Sequence, residues 1–147
     1  MQLMRKNDIR RESKPTAPMK AARPDDLLKR RTARLLGLRA ETIAALLLRL
    51  KGYSILERRY AVSGGEIDLI AKRGRSIAFV EVKARGEFGA AAEAINLKKQ
   101  RRIARAVRVW LSRNPWAAGL TLRGDAVLVA PKRLPRHMAC AYTLDID

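Results

Sequence analysis

Two segments of alternating pattern, 66–72 and 77–83, stand on either side of Arg73-Gly74-Arg75-Ser76, and this pair constrains the fold more than any other feature of the chain. A two-residue loop of Gly74-Arg75 suits a type II′ turn, because glycine takes the first central position with a positive φ at no steric cost. That turn pairs Arg73 with Ser76 and, counting outward, Ile70 with Phe79, Asp68 with Glu81 and Glu66 with Lys83. A four-residue loop gives the same register. The two-residue period of a strand then puts Glu66, Asp68, Ile70, Phe79, Glu81 and Lys83 on one face. Ile67, Leu69, Ala71, Ala78, Val80 and Val82 make the other face wholly apolar.

The energetics of this hairpin are informative. Opposed side chains have Cβ atoms roughly 4.5–5.5 Å apart, and like charges so placed are destabilising. Both strands read as central, since apolar residues occupy both faces near the turn. Burying Asp68 and Glu81 there is costly unless something neutralises them. A divalent cation does so directly, and Lys83 shares the work. The plainer alternative is a solvated sheet end with Glu66 and Lys83 as a cross-strand ion pair, and a one-residue slip would remove the confrontation of the two acids.

The rest of the chain supplies the elements around the hairpin. Residues 1–24 contain three prolines, scattered Arg and Lys and no large apolar cluster, and read as a disordered basic arm ahead of a single domain over 25–147. Without a continuous apolar stretch the arm does not read as a secretory signal, and the expected compartment is the cytoplasm. Pro24-Asp25-Asp26 predicts a helix start with an acidic first turn, the helix running to Lys51-Gly52 with Gly37 as a point of interruption. From 41 to 50 it is apolar nearly all round, which predicts broad burial. Residues 53–61 have the partly polar character of an edge strand, 90–113 form the strongest helix, closed by Asn114-Pro115, and 127–129 are a short strand core stopped by Pro131. The order α-β-β-β-α-β predicts an α/β fold, a mixed central sheet flanked by helices.

Charge and composition narrow the partners. The 147 residues carry 32 Lys+Arg against 14 Asp+Glu, a net charge of +18, which suits a chain that meets a polyanion, either nucleic acid or an anionic membrane surface. Apolar residues reach 48%, enough for a real core. The longest uncharged apolar run, 42–48, is too short to cross a bilayer, and the arm lacks the bulky apolar residues of a membrane anchor, so no membrane partner is expected. A single cysteine, Cys140, and a single histidine, His137, exclude an internal disulfide and a Cys/His metal cluster. Any metal here is held by oxygen and is a hard ion such as Mg²⁺. Cys140 reads as a small buried or idle thiol, and His137, between Arg136 and Met138, as a solvated loop residue.

On the second helix, Ile103, Ala104, Val107, Trp110 and Leu111 share one face, and Lys98, Arg101, Arg102, Arg105 and Arg108 the opposite one. That basic stripe is either a solvated face or a contact for phosphates along a duplex, salt-dependent and indifferent to base sequence. Lys99 and Gln100 fall nearer the apolar side and point inward. Glu41 lies on an otherwise apolar helix stretch, where an unpaired charge is expensive. It is either a third carboxylate of the site or an exposed first-turn residue of a helix that begins near Ala40.

The pattern Asp68-x(12)-Glu81-x-Lys83 resembles the signature of the restriction-endonuclease-like (PD-(D/E)xK) superfamily. Gly65-Glu66-Ile67-Asp68-Leu69-Ile70-Ala71 and Phe79-Val80-Glu81-Val82-Lys83-Ala84-Arg85 look like the motifs of the YraN-like family of bacterial proteins, relatives of archaeal Holliday-junction resolvases. Leu50-Lys51-Gly52-Tyr53-Ser54-Ile55-Leu56-Glu57-Arg58, Phe88-Gly89 and Lys99-Gln100 continue the likeness, which covers roughly residues 35–130. The chain departs from the family in having Ala40 before Glu41 instead of Gly, Arg59 where Asn is usual, and Arg123-Gly124-Asp125 for Arg-Phe-Asp.

The resemblance implies a restriction-endonuclease-like core and a metal-dependent nuclease acting on DNA, branched or otherwise structured. It implies that Asp68, Glu81 and the Val82 carbonyl ligate Mg²⁺ or Mn²⁺. Lys83 would orient, or help deprotonate, the water that attacks phosphorus. Glu41 would be a third carboxylate, with Gln100 in support. Glu66 would be either another supporting partner or the ion-pair mate of Lys83. Lys98, Lys99, Arg101, Arg102, Arg105 and Arg108 would bind the nucleic acid, and a homodimer would cut two strands. The alternative is a noncatalytic nucleic-acid-binding protein that retains the fold.

Overall fold

The structure, a computed structural model, describes residues 23–84 and 95–147. The expected basic arm, apart from its last two residues, and the first five residues of the expected second helix lie outside these.

Helix α1 spans Pro24–Leu50. Pro24 opens it where a missing N–H costs nothing, and Asp25 and Asp26 sit at the positive end of the helix dipole. Its end is a Schellman motif: Gly52, at φ +87°, donates its N–H to Arg49 O, and Tyr53 N–H donates to Leu48 O. Two expectations are corrected here. The helix passes through Gly37 without interruption, because its turns continue on both sides of that residue. Burial over 41–50 is confined to one face, made by Ala44, Ala45 and Leu48 beside the earlier Ala40, while Ile43, Leu46 and Leu50 are exposed. A helix lying on one side of a sheet can hide only the stripe that touches it.

Strands β1 (Ser54–Val62), β2 (Gly65–Arg73), β3 (Ser76–Ala84), β4 (Thr121–Val129) and β5 (Arg136–Tyr142) form one sheet in the order β1-β2-β3-β4-β5. All neighbours are antiparallel except β3 and β4, which run parallel. The parallel pair needs a crossover, and helix α2 (Leu97–Arg113) provides it, followed by a 3₁₀ turn at Pro115–Ala117. The helix starts later than expected. Asn96 caps it by accepting the Lys99 N–H, and this local bond fixes the first turn. The hairpin turn matches its chemistry: Arg73 pairs with Ser76, Gly74 takes φ +57°, and Arg75 stays out of the left-handed region.

Each face of the sheet has its own core. Leu48 and Tyr53 cover Leu69, Ala71, Ala78, Val80 and Val127 on one side. Ile103, Val107 and Trp110 cover Ile67, Ile70, Ile77, Phe79 and Ala126 on the other. Each buried Leu, Ile, Val or Phe among them contributes about 1.5–3 kcal/mol relative to exposure. Ile67 belongs to the α2 side although Leu69 faces α1, so the expected alternation breaks at Asp68. The start of β2 lies hard against α2. A Cβ on Gly65 would stand 2.5 Å from Arg102 O and 3.0 Å from Ala106 N, an approach only glycine permits.

Strand β5 lies outside the expected α-β-β-β-α-β order. It places His137, expected in a solvated loop, inside the sheet with its side chain 3% exposed.

Candidate active site

Strand pairing in the central hairpin follows the expected register from Arg73–Ser76 to Leu69–Val80. At Asp68 the side chain takes over from the ladder: Val82 N–H donates to Asp68 Oδ2 at 2.8 Å. Val82 thus reaches the site through its amide.

Glu81 is the most confined acid of this end, its side chain 5% exposed. Its Oε1 lies 3.4 Å from Lys83 Nζ and 3.4 Å from Lys99 Nζ. Its Oε2 is buried with no hydrogen-bond partner. A buried carboxylate oxygen in that condition is expensive, and either a proton shared with Asp68 or a hard cation would relieve it. Burial, and next the charge of neighbouring Glu81, push the Asp68 carboxyl up to about 7 against the opposing Val82 amide. The two acids therefore repel each other when no cation lies between them. Among the described residues no three Asp, Glu, His or Cys side chains form a metal cluster. The donor set is two carboxylates and backbone, suited to an ion such as Mg²⁺ that keeps several waters.

The remaining residues of the sequence reading sort clearly. Lys99 reaches inward from α2 to bridge Glu66 Oε1, at 3.1 Å, and Glu81. Burial works against its ammonium, but Glu81, Glu66 and Asp68 outweigh that and hold its pKa above the usual value. Glu66 is drawn below the usual carboxylate range by the Lys99 hydrogen bond and charge. Glu66 is thus the partner of Lys99, with Arg102 at 3.7 Å, and not of Lys83. Lys83 turns to Glu81, two residues back on its own strand. Gln100 turns to the segment just ahead of its helix, its Nε2 donating to Ile95 O at 3.0 Å. Glu41 faces the site from α1, lining a recess of about 250 Å³ together with Glu66 and Asp68. Arg59 holds it, Nε to Oε2 at 2.7 Å. Lys98, Arg101, Arg102, Arg105 and Arg108 are exposed along the outer face of α2, and Arg108 donates to Asp145 O.

A raised carboxyl pKa has a sign. The folded protein holds the Asp68 proton more tightly than the unfolded chain, so this contribution to stability is complete below about pH 4 and is lost as pH rises through about 7. Thermal melting without divalent ions is expected to show the Asp68 contribution declining across that window, by up to about 4 kcal/mol at roughly 1.4 kcal/mol per pKa unit. Adding Mg²⁺ or Mn²⁺ should restore more stability at pH 8 than at pH 5. An equal response at both pH values would contradict the site.

Sequence reasoning missed the largest polar network. Asp125, fully buried on β4, accepts from Arg123 Nε and Nη2 at 2.8 Å each, His137 Nε2 at 2.7 Å and Cys140 N–H at 3.1 Å. Arg123 also donates to Tyr53 Oη at 2.6 Å. Lys51 Nζ lies 2.6 Å from His137 Nδ1 and, having only protons to give, fixes the tautomer with hydrogen on Nε2. The available signals were an acid opening the apolar run 126–129 and the Arg123 and Asp125 that stand at the ends of the family's Arg-Phe-Asp. Cys140 itself is exposed.

The fold and this end of the sheet define the class: an α/β protein with a mixed five-stranded sheet between helices, consistent with a restriction-endonuclease-like core, carrying a carboxylate pair and a lysine. Residues 40–129 match the family described as "Uncharacterised protein family UPF0102", and the chain belongs to that family, the YraN-like proteins. It is 57% identical over 117 residues to a UPF0102 protein of Methylorubrum extorquens, covering 80% of this chain and 91% of that one. A UPF0102 protein of Methylocella silvestris is 59% identical over 116 residues, covering 79% and 94%. One from Parvibaculum lavamentivorans is 58% identical over 107 residues, covering 73% and 80%.

Proposed function

We propose that this chain is a metal-dependent nuclease that hydrolyses phosphodiester bonds of DNA, with branched or otherwise structured DNA as its substrate. The observation that carries the reading is the buried Glu81 Oε2, an acceptor without a donor beside a second carboxylate whose proton is hard to remove. Asp68, Glu81 and the Val82 carbonyl would hold Mg²⁺ or Mn²⁺, with Glu41 as a third carboxylate. Such an ion lowers the pKa of water and screens charge gathering on phosphate oxygens.

The protein's own groups do the rest. Lys83 Nζ, held near Glu81, orients the attacking water and takes up or stabilises charge at the reacting phosphate. Lys99 ties the carboxylates to α2, whose outer arginines track the backbone of a duplex. Recognition then rests on shape and phosphate geometry. The protein would act in the cytoplasm, and a homodimer would place two sites on two strands. No helix among the described residues is long and apolar enough to cross a membrane.

The test is incubation of the protein with labelled duplex, single-stranded, flap and four-way-junction DNA in Mg²⁺, Mn²⁺ or EDTA. Cleavage that needs the metal and favours one structure is expected. Tight binding with no cleavage on any substrate would instead establish the noncatalytic reading, which the basic face of α2 supports on its own.

A further inference from the structure

Arg59 lies within β1 with φ +52°, in the left-handed region that a side chain as large as arginine rarely adopts. The consequence is visible in its neighbours. Arg58 Nη2 donates to Thr42 Oγ1 at 3.0 Å and Arg59 Nε donates to Glu41 Oε2 at 2.7 Å, so two successive residues of one strand both reach α1. Tyr60 then turns to the other face, where it packs beneath α2 and accepts from Arg113. A regular strand sends neighbours to opposite faces, and the left-handed residue is what breaks that rule. The Arg59 side chain itself is 45% exposed and adds nothing to the core. The left-handed backbone, which asparagine adopts readily, here carries a guanidinium to the α1 side of the site.

The place is specific. Glu41, Glu66 and Asp68 line the recess with three carboxylates, and Arg59 is the one cation among the described residues lining it. An anionic phosphodiester approaching such a recess meets repulsion unless a cation stands at the rim. Glu41 takes only the Nε of Arg59, and no hydrogen bond is made by its terminal nitrogens among the described residues. A planar guanidinium pinned through Nε presents its outer N–H groups in a fixed fork that fits phosphate oxygens.

We propose that Arg59 is a phosphate-binding residue of this site: anchored by Glu41, it holds a non-bridging oxygen of the nucleic-acid backbone beside the Asp68–Glu81 pair. This rests on the reading of the site as one that acts on nucleic acid, and it adds a residue that composition and spacing did not single out. The contact lies on the α1 side of the recess, across from the basic face of α2.

The experiment measures binding of labelled duplex and four-way-junction DNA in Ca²⁺ over a series of salt concentrations, for the wild type, Arg59→Asn and Arg59→Lys. Asparagine tolerates the left-handed backbone, so its variant keeps the fold, which thermal melting verifies. Arg59→Asn is expected to weaken binding about tenfold and to reduce the slope of log affinity against log salt by about one, while Arg59→Lys keeps the slope. Wild-type binding with the same affinity and slope in Arg59→Asn would overturn this inference alone and leave Arg59 as a brace for Glu41. Failure of the wild type to bind any nucleic acid would overturn both this inference and the proposed function.

Discussion

Asp68→Asn is expected to lower metal-dependent DNA cleavage by about 10³-fold while raising the melting temperature at pH 8 in the absence of divalent ions. The first effect removes one of the two carboxylates proposed to hold the cation, a loss of about 4 kcal/mol of transition-state stabilisation. The second follows from the unliganded geometry. Asn keeps an oxygen to accept the Val82 N–H, and it carries an NH₂ group that can donate to the orphaned Glu81 Oε2. The repulsion that pushes the Asp68 carboxyl up to about 7 disappears with the charge. A gain of about 1 kcal/mol, or about 3–5 °C in a domain of this size, is the expected scale. The dependence of stability on pH between about 4 and 7 should flatten at the same time. A variant that is less stable at pH 8, or one that still cleaves, would contradict the assignment. The opposition of the two effects separates a functional acid from a structural one, whose loss would cost stability and activity together.

Asp125→Ala is expected to behave in the opposite way, costing about 3–5 kcal/mol of stability, the scale for removing one partner from a buried charged network. Burial alone would raise the Asp125 pKa, but the hydrogen bonds from His137, Arg123 and Cys140 outweigh it and hold the carboxyl down at about 2. Its contribution is therefore present above about pH 4 and is lost as pH falls through about 2. Without the carboxylate, half-buried Arg123 and buried His137 lose their shared acceptor, and the link it makes between the Tyr53 and Lys51 ends of the network is cut. Denaturant unfolding measures the loss. A change below about 1 kcal/mol would mean that water replaces the carboxylate, contrary to its full burial.

The contrast between these acids shows what could be read from the sequence. Asp68 and Glu81 were legible because a glycine-led turn fixes a register, and a register converts sequence positions into opposed pairs. The basic and apolar faces of α2 were legible because a helix has a fixed period. Asp125, His137 and Arg59 were not: Arg123 and Asp125 share a strand face two residues apart, but His137, Cys140 and, for Arg59, Glu41 lie on segments that no local period connects to them. Strand β5 escaped for a related reason: it is short, it lacks an alternating pattern, and it bends at Cys140, which sits at φ +52°. Its place follows from pairing with β4, not from propensity of its own. The breadth of burial on α1 was overestimated because composition says how apolar a helix is, not how many neighbours it meets. The register at the very end of the hairpin was half legible. The Leu69–Val80 pair is as expected, but the Asp68 side chain takes the Val82 amide, and Glu66 is claimed by a helix whose position strand pairing alone cannot supply.

The sheet's connectivity has a consequence for the order in which the protein assembles. Strands β1, β2 and β3 form a meander of short-range pairings, while β4 joins β3 in parallel only after α2 has crossed over. Local pairings close quickly and long crossovers slowly, because the entropy of loop closure must be met before the distant contacts form. Asp68 and Glu81 therefore come together on the early meander, before α2 delivers Lys99 to Glu81. In that interval the nascent sheet carries its acids with Lys83 as the counter-charge from its own strands, and the repulsion that the folded protein still shows at Asp68 is expected to be at its greatest.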